Sequence, residues 1–274
     1  MNLFRAAGRS FGLTHRLWFA VLSVLVVTSA VGALSTLLLP FQVTGGRLTV
    51  PPPADAQEAV SRAGTVLALF LLSSGLALYL LGGVLGGLQR ILRGESVSVS
   101  RFFQFSREWF FRMAGWGCAL LLLVVGGSVV VGLIFAVPGS ALAGAGAFKQ
   151  FFGFGFLPVF LFLWAANVFS PILMVEHSQG IWASLGNSIR FFFRNLPACL
   201  GVLLCAVAVG VGMNIFGLLL EKIVRALRTA LSIAPYVPGL PVFFFGLILG
   251  IPQAYLTVYF PSLLYTFYRD NPKT

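Results

Sequence analysis

Few side chains in this sequence could carry chemistry. The acids are Asp55, Glu58, Glu95, Glu108, Glu176, Glu221 and Asp270, and the histidines are His15 and His177. An acid–base pair, or a nucleophile with its base, requires such groups to converge. Here they fall singly, in loops or at the ends of apolar runs. A metal centre needs several converging ligands, yet the two histidines stand far apart and no His-Glu-x-x-His pattern occurs. There is no phosphate-binding Walker loop. Cys118, Cys199 and Cys205 all sit in apolar segments, where cysteine acts as a small packing residue. No catalytic residue, cofactor or metal is therefore expected, and the chain reads as a non-enzyme.

Two constellations remain. Tyr255, Tyr259, Ser262 and Thr266 recur at helical spacing, and Asn167 and Ser170 are expected at a similar depth. In lipid, buried polar groups must find partners. Either these residues bond between helices, or they line a polar cavity for a lipid headgroup or small solute; Gln253 and Asn214 could extend either arrangement. The second constellation is the stretch 171–199, with Glu176, Gly180, Ser188, Arg190 and Arg194. Glu176 follows an apolar run with no polar buffer, so it is expected at the inner headgroup boundary. Gly180 allows the chain to reverse there, and Arg190 or Arg194 is expected to fold back and pair with the glutamate.

Composition decides what must position these residues. Of 274 residues, 58% are hydrophobic and 9% charged, with mean hydropathy +0.96. Soluble domains carry about 25% charged residues, so the chain is expected to be an integral membrane protein. A net charge of +11 would point to nucleic acid in a soluble protein. Here the basic residues flank apolar spans, and anionic lipid headgroups are the expected partner, with no nucleic acid.

The fold class that follows is all-α: a polytopic membrane bundle of six transmembrane helices with interfacial amphipathic helices. Residues 1–16 read as an N-terminal interfacial helix, with Leu3, Phe4, Ala7, Phe11 and Trp18 on one face and Arg5, Arg9 and Arg16 off it. A secretory leader is the rival, but the apolar run reaches Leu39, longer than an h-region of roughly 7–15 residues. Residues 17–268 form one membrane domain, with spans at 17–39, 64–88, 113–137, 151–175, 197–220 and 240–267. Residues 269–274 are the tail. The segment 41–62 reads as an external loop whose start fits a small hairpin around Gly45-Gly46. Gly82-Gly83 and Gly86-Gly87 give two small-xxx-small pairs for close packing, within the chain or between copies.

Two elbows join the spans on the terminal side. In the first, 89–112, Phe102, Phe103, Trp109 and Phe110 make one face, and Glu108 is placed to pair with Arg112. In the second, Ile181, Trp182, Leu185, Ile189, Phe192 and Phe193 make the apolar face, with Ser184, Asn187, Ser188, Arg190 and Arg194 opposite. Each elbow places aromatics and an arginine before a span and a cysteine soon after, and each follows a glycine, Gly94 or Gly180. If this is a repeat, spans two and three echo spans four and five.

Glu176-x-x-x-Gly180-x-x-Ala183, with Ser188 and the basic-aromatic run behind it, resembles a family of six-span prokaryotic membrane proteins. The sequence is similar to the membrane domain attached to some glycerophosphoryl diester phosphodiesterases, and to the stand-alone YciC-like relatives of that domain, whose function is mostly unassigned. Arg93-Gly94 and Pro171 also fit. The resemblance implies a six-span plan. It does not imply diester hydrolysis, because no phosphodiesterase domain accompanies the spans.

The expected function is a non-enzymatic membrane module that organises lipids or partner proteins, possible partners including a second copy of the chain. The alternative is a transporter or channel for a small or amphiphilic solute. Six spans put both termini on one side, and twelve Lys and Arg residues fall on that side against six on the other. The excess marks the cytoplasmic face of a cell membrane. Reporter fusions after Gly94 and Thr274 should therefore report cytoplasm and fusions near Asp55 the exterior; an external C-terminus would reverse the assignment.

Overall fold

The computed structural model describes residues 3–39, 42–44, 47–49, 51–142, 145–230 and 240–271. The side chains of 3–5, 42–44, 47–49, 130–160 and most of 224–245 lie outside that description. The described backbone is helical apart from one ladder. Its helices are α1 (Leu3–Arg16), α2 (Trp18–Leu38), α3 (Ala56–Leu92), α4 (Val99–Leu142), α5 (Ala145–His177), α6 (Ile181–Arg194), α7 (Leu196–Ala230), α8 (Leu240–Leu249) and α9 (Ile251–Asp270). Strands β1 (Gln42–Thr44) and β2 (Arg47–Thr49) pair antiparallel, Thr44 opposite Arg47, as the alternation in that segment predicts.

Among the described residues, five helices are long and apolar enough to cross a membrane: Trp18–Leu38, Ala56–Leu92, Val99–Val129, Leu196–Ile223 and Gly246–Asp270. Leu161–His177 of α5 is a shorter apolar stretch. Apart from that ladder the described residues form a helical fold, with the apolar helices of a multi-pass membrane protein.

Local chemistry sets the helix ends. Asp55 caps α3 by accepting from Glu58 N–H at 2.7 Å, and Glu58 reaches back to Ala54 N–H at 2.6 Å. This reciprocal cap closes two open donors. Arg62 then bonds Glu58 and the Pro51 carbonyl. The expected loop over 41–62 therefore ends early, with its last residues already helical. At the far end of α3, Gly94 takes φ +87°. Gly94 N–H bonds Ile91 O and Glu95 N–H bonds Arg90 O, each at 3.0 Å. This pattern of paired back-bonds requires the left-handed residue that glycine supplies.

The two elbows differ. The first is no separate helix: its residues from Val99 onward are the start of α4, which continues unbroken to Leu142. At about 1.5 Å per residue, the 44 residues of α4 span about 66 Å and the 37 of α3 about 55 Å. A hydrocarbon core is about 30 Å thick, so these helices extend beyond it. The expected Glu108–Arg112 pair is absent from the described ion pairs. Arg112 instead lies over the Trp109 ring at 5.0 Å. The second elbow contains a distinct helix, α6, which turns back along α5. Leu185 joins Ala166 and Met174 in one cluster, Phe191 packs on Phe169 at 4.7 Å, and Phe192 packs on Trp164 at 5.1 Å. The two elbows are therefore built differently. The turn before α6 places the left-handed backbone at Ser178 (φ 51°), while Gly180 is extended (φ −68°, ψ 159°).

Packing is dense at the end of the bundle that gathers α1, the α3–α4 turn, the end of α5, α6 and the end of α9. The largest fully buried side chains are there, including Phe102, Met113, Phe169, Phe191, Phe192, Tyr259, Tyr265 and Phe267. Towards the other end the described apolar side chains turn outward: Leu37 and Leu38 on α2, Val66 to Leu72 on α3, Leu121 to Val129 on α4, and Leu204 to Ile223 on α7. α1 belongs to the packed end. It buries Ala6, Ser10, Leu13, Thr14 and Leu17, and its Arg9 reaches Asp270 of α9 at 3.3 Å. Trp18, read from spacing as part of the α1 face, starts α2 and is exposed.

Glycines bring the helices together. A Cβ on Gly82 would touch Trp109 Cβ at 3.0 Å, and one on Gly86 would sit 2.8 Å from Phe105 Cβ. At Gly83 it would collide with Ser106 Oγ and the Phe102 ring. Gly82, Gly83 and Gly86 thus serve α3–α4 packing within the chain, while Gly87 faces Leu17. Gly246 and Gly250 do the same for α8 against Ser29 and Leu25 of α2. Overpacking a filled interface costs about 1–3 kcal/mol. Gly83→Ala should accordingly lower the melting temperature in detergent by several degrees. Gly126→Ala, with nothing within 4 Å of the new Cβ, should leave it unchanged.

Candidate functional site

Glu176 lies at the last turn of α5, half-buried. Its hydrogen-bond donor is the Tyr265 hydroxyl of α9. Next to it, His177 Nε2 and the Tyr268 hydroxyl are 2.8 Å apart. Two consecutive residues of α5 thus bind two tyrosines that lie three apart, about one turn, on α9. Gln89 Nε2 of α3 donates to the Val175 carbonyl at 3.1 Å, tying a third helix to the same point.

Arg190 and Arg194 are not the partners of Glu176. Both are exposed, and neither forms an ion pair with a described residue. The reason is the roll of α6. Its buried face is Ser184, Leu185, Ser188, Phe191 and Phe192, while Trp182 and Phe193 turn outward beside the arginines. Serines that spacing assigned to the polar face are inside because they bond to helix backbone. Ser188 Oγ donates to the Ala165 carbonyl at 2.6 Å and accepts from Phe169 N–H at 3.1 Å, attaching α6 to a rung of the α5 ladder. Ser184 Oγ donates to Ile181 O at 2.7 Å. Gly180 is the N-cap residue of α6, and a Cβ there would meet nothing within 4 Å.

The polar stripe on α9 does not converge with its expected neighbours on α5. Ser262 and Thr266 are buried and donate to Val258 O and Ser262 O, each at 2.8 Å. Tyr259 is fully buried, and its hydroxyl finds no hydrogen-bond partner among the described residues. Phe11 of α1 packs on the Tyr259 ring at 4.5 Å and on the Tyr255 ring at 5.9 Å. Ser170 accepts from Trp116 Nε1 at 2.5 Å. Asn167 is exposed on α5. Of the six residues, Thr266 borders a cavity that lies towards α1.

Open space lies elsewhere. A groove of about 500 Å³ runs between α5, α7 and α9, bordered by Trp164, Phe169, Val202, Ala206, Gly210 and Phe260. Its lining is apolar but for Asn214 and Cys199. Gln253 and Asn214, at the α8–α9 junction and on α7, border a smaller space of about 230 Å³ with Glu221.

Spacing missed Tyr265, Trp116 and Gln89. α9 is buried nearly all round in its last three turns, so no single face marks the tyrosine that faces Glu176. Gln89 and Trp116 were legible only as polar atoms within apolar runs, each of which needs a partner. No family model, curated protein or solved structure matches this chain.

A hydrogen bond to a charged group contributes roughly 1.5–3 kcal/mol. Tyr265→Phe should therefore destabilise the protein in detergent by about that amount, and Arg190→Gln with Arg194→Gln should change the melting temperature little. A stable Tyr265→Phe variant alongside an unstable Arg190→Gln variant would restore the arginine as the partner of Glu176.

Proposed function

We propose that the chain is a non-enzymatic lipid-organising module with six spans, α5 being the sixth, in a cell membrane with both termini cytoplasmic. Support for the span count comes from the 33-residue length of α5 and the apolar character of its described part. Support for the orientation is the twelve-to-six division of basic residues. As part of the same proposal, the kinship with the YciC-like membrane domain rests on Glu176, Gly180, Ala183 and Ser188.

The observation that carries the lipid role is the apolar groove between α5, α7 and α9. It flanks the helix whose spanning window is only 6% buried inside the bundle, and its border continues into the exposed Leu204, Val207 and Val211 of α7. A space of that size and lining, open to the side chains that face hydrocarbon, suits an acyl chain. It lies between helices and falls in the size range of pockets that hold small ligands. The polar groups that would serve a solute path are instead bonded within or between helices, as Ser170, Ser188, Ser262 and Thr266 are.

Filling the groove provides the test. Ala206→Trp and Gly210→Trp should each reduce the phospholipid retained by the purified full-length protein, measured by native mass spectrometry, at least two-fold relative to wild type. Val66→Trp, on the outward face of α3, should leave retention unaltered. Equal retention in all four proteins would remove the groove as a lipid site.

A further inference from the structure

At the packed end, α1, the end of α3 and the end of α9 border a second, open cavity of about 590 Å³. Arg9 and Arg16 border it from α1, Arg269 and Asp270 from α9, and Leu13 and Leu92 are among its apolar neighbours. Arg9 and Arg16 are seven residues apart, two turns on one face of the helix. Asp270 is the one acid in the lining, and it is engaged by Arg9 at 3.3 Å. Neither Arg16 nor Arg269 forms an ion pair with a described residue. The lining thus carries three arginines and one aspartate, all exposed to solvent, and is net positive.

A basic residue in the last turn of a helix is favourable by itself, which accounts for Arg16 on α1 and Arg269 on α9 separately. It does not account for both bordering one cavity together with Arg9, where like charges raise each other's cost. An anion in the cavity relieves that cost. Guanidinium forks match phosphate oxygens in pairs, more closely than an ammonium does. The lining also combines charge with apolar side chains at the foot of α2, where Trp18 marks an interface.

We propose that this cavity is a phosphate-binding site, and that its occupant is the headgroup of an anionic phospholipid seated on Arg16 and Arg269, with Arg9 divided between the phosphate and Asp270. The site rests on the reading of the chain as a membrane protein. It does not depend on the acyl-chain groove, which lies on another side of α9 and is tested by other variants.

The test follows thermal unfolding of the purified full-length protein in neutral detergent, with phosphatidylcholine, with phosphatidylglycerol, or with inorganic phosphate against chloride at matched ionic strength. A ligand that binds only the folded state raises its melting temperature. Phosphatidylglycerol should raise it by several degrees over phosphatidylcholine. The gain should fall by half or more in Arg16→Gln/Arg269→Gln, and persist in Arg190→Gln/Arg194→Gln, whose arginines lie outside the cavity. Gly12→Leu also borders the cavity and meets nothing within 4 Å at its Cβ. It adds bulk without removing charge, and should abolish the gain even if the double arginine variant fails to fold. An equal gain with inorganic phosphate, lost in the same variants, would uphold the anion site and assign it to soluble phosphate. No gain in the wild type, or a gain that survives in both cavity variants, would overturn the proposal.

Discussion

In hydrocarbon, one apolar helix gains little hydrophobic free energy by touching another, because lipid tails are as apolar as leucine. Association then depends on close van der Waals approach and on polar atoms that have nowhere else to go. This chain meets both conditions at one end. Gly82, Gly83 and Gly86 bring α3 against the aromatic start of α4, and Gly246 and Gly250 bring α8 against α2. Ser188 attaches α6 to the backbone of α5, Trp116 reaches Ser170, and Tyr265 reaches Glu176. Where such contacts are sparse, as along the described outer part of α7, leucine, valine and isoleucine face outward.

The uneven packing explains the different forms of the two connections on the terminal side. Between α3 and α4 the glycines alone permit tight antiparallel contact, so α4 begins directly after the Gly94 turn. Between α5 and α7 lies a groove, and α5 packs instead on aromatic rings, which need more room. An additional helix, α6, supplies it by placing Phe191 and Phe192 against Phe169 and Trp164. Glu176 and His177 then bond the tyrosines of α9 at the point where α5 ends.

Much of this architecture was legible in the sequence, because apolar run length and the glycine pairs report directly on membrane depth and close approach. The hairpin at Thr44–Arg47 was legible from alternation and two glycines. The face of α6 was not. Hydropathy ranks serine as polar, yet a serine hydroxyl that bonds helix backbone can be buried, while tryptophan and phenylalanine suit an exposed position at an interface. The partner of Glu176 was hidden for a related reason. Opposite charge in the same stretch favoured an arginine, whereas the neighbour that folding supplies comes from 89 residues away and is neutral. The left-handed residue at Ser178 was also unreadable, since the adjacent glycine drew the turn to itself.

The unbroken course of α4 from Val99 to Leu142 has a mechanical meaning. Over residues 99–137 it has no interior proline, and Pro138 falls near its far end. Its first four turns are clamped to α3, and the described outer side chains beyond Leu121 are largely uncovered. Membrane helices answer a change in bilayer thickness by tilting. For a rod of about 66 Å, a tilt of about 5° displaces one end by about 6 Å relative to the other. A tilt of α4 therefore moves its outer arm relative to the end that packs on α3 beside Gly94.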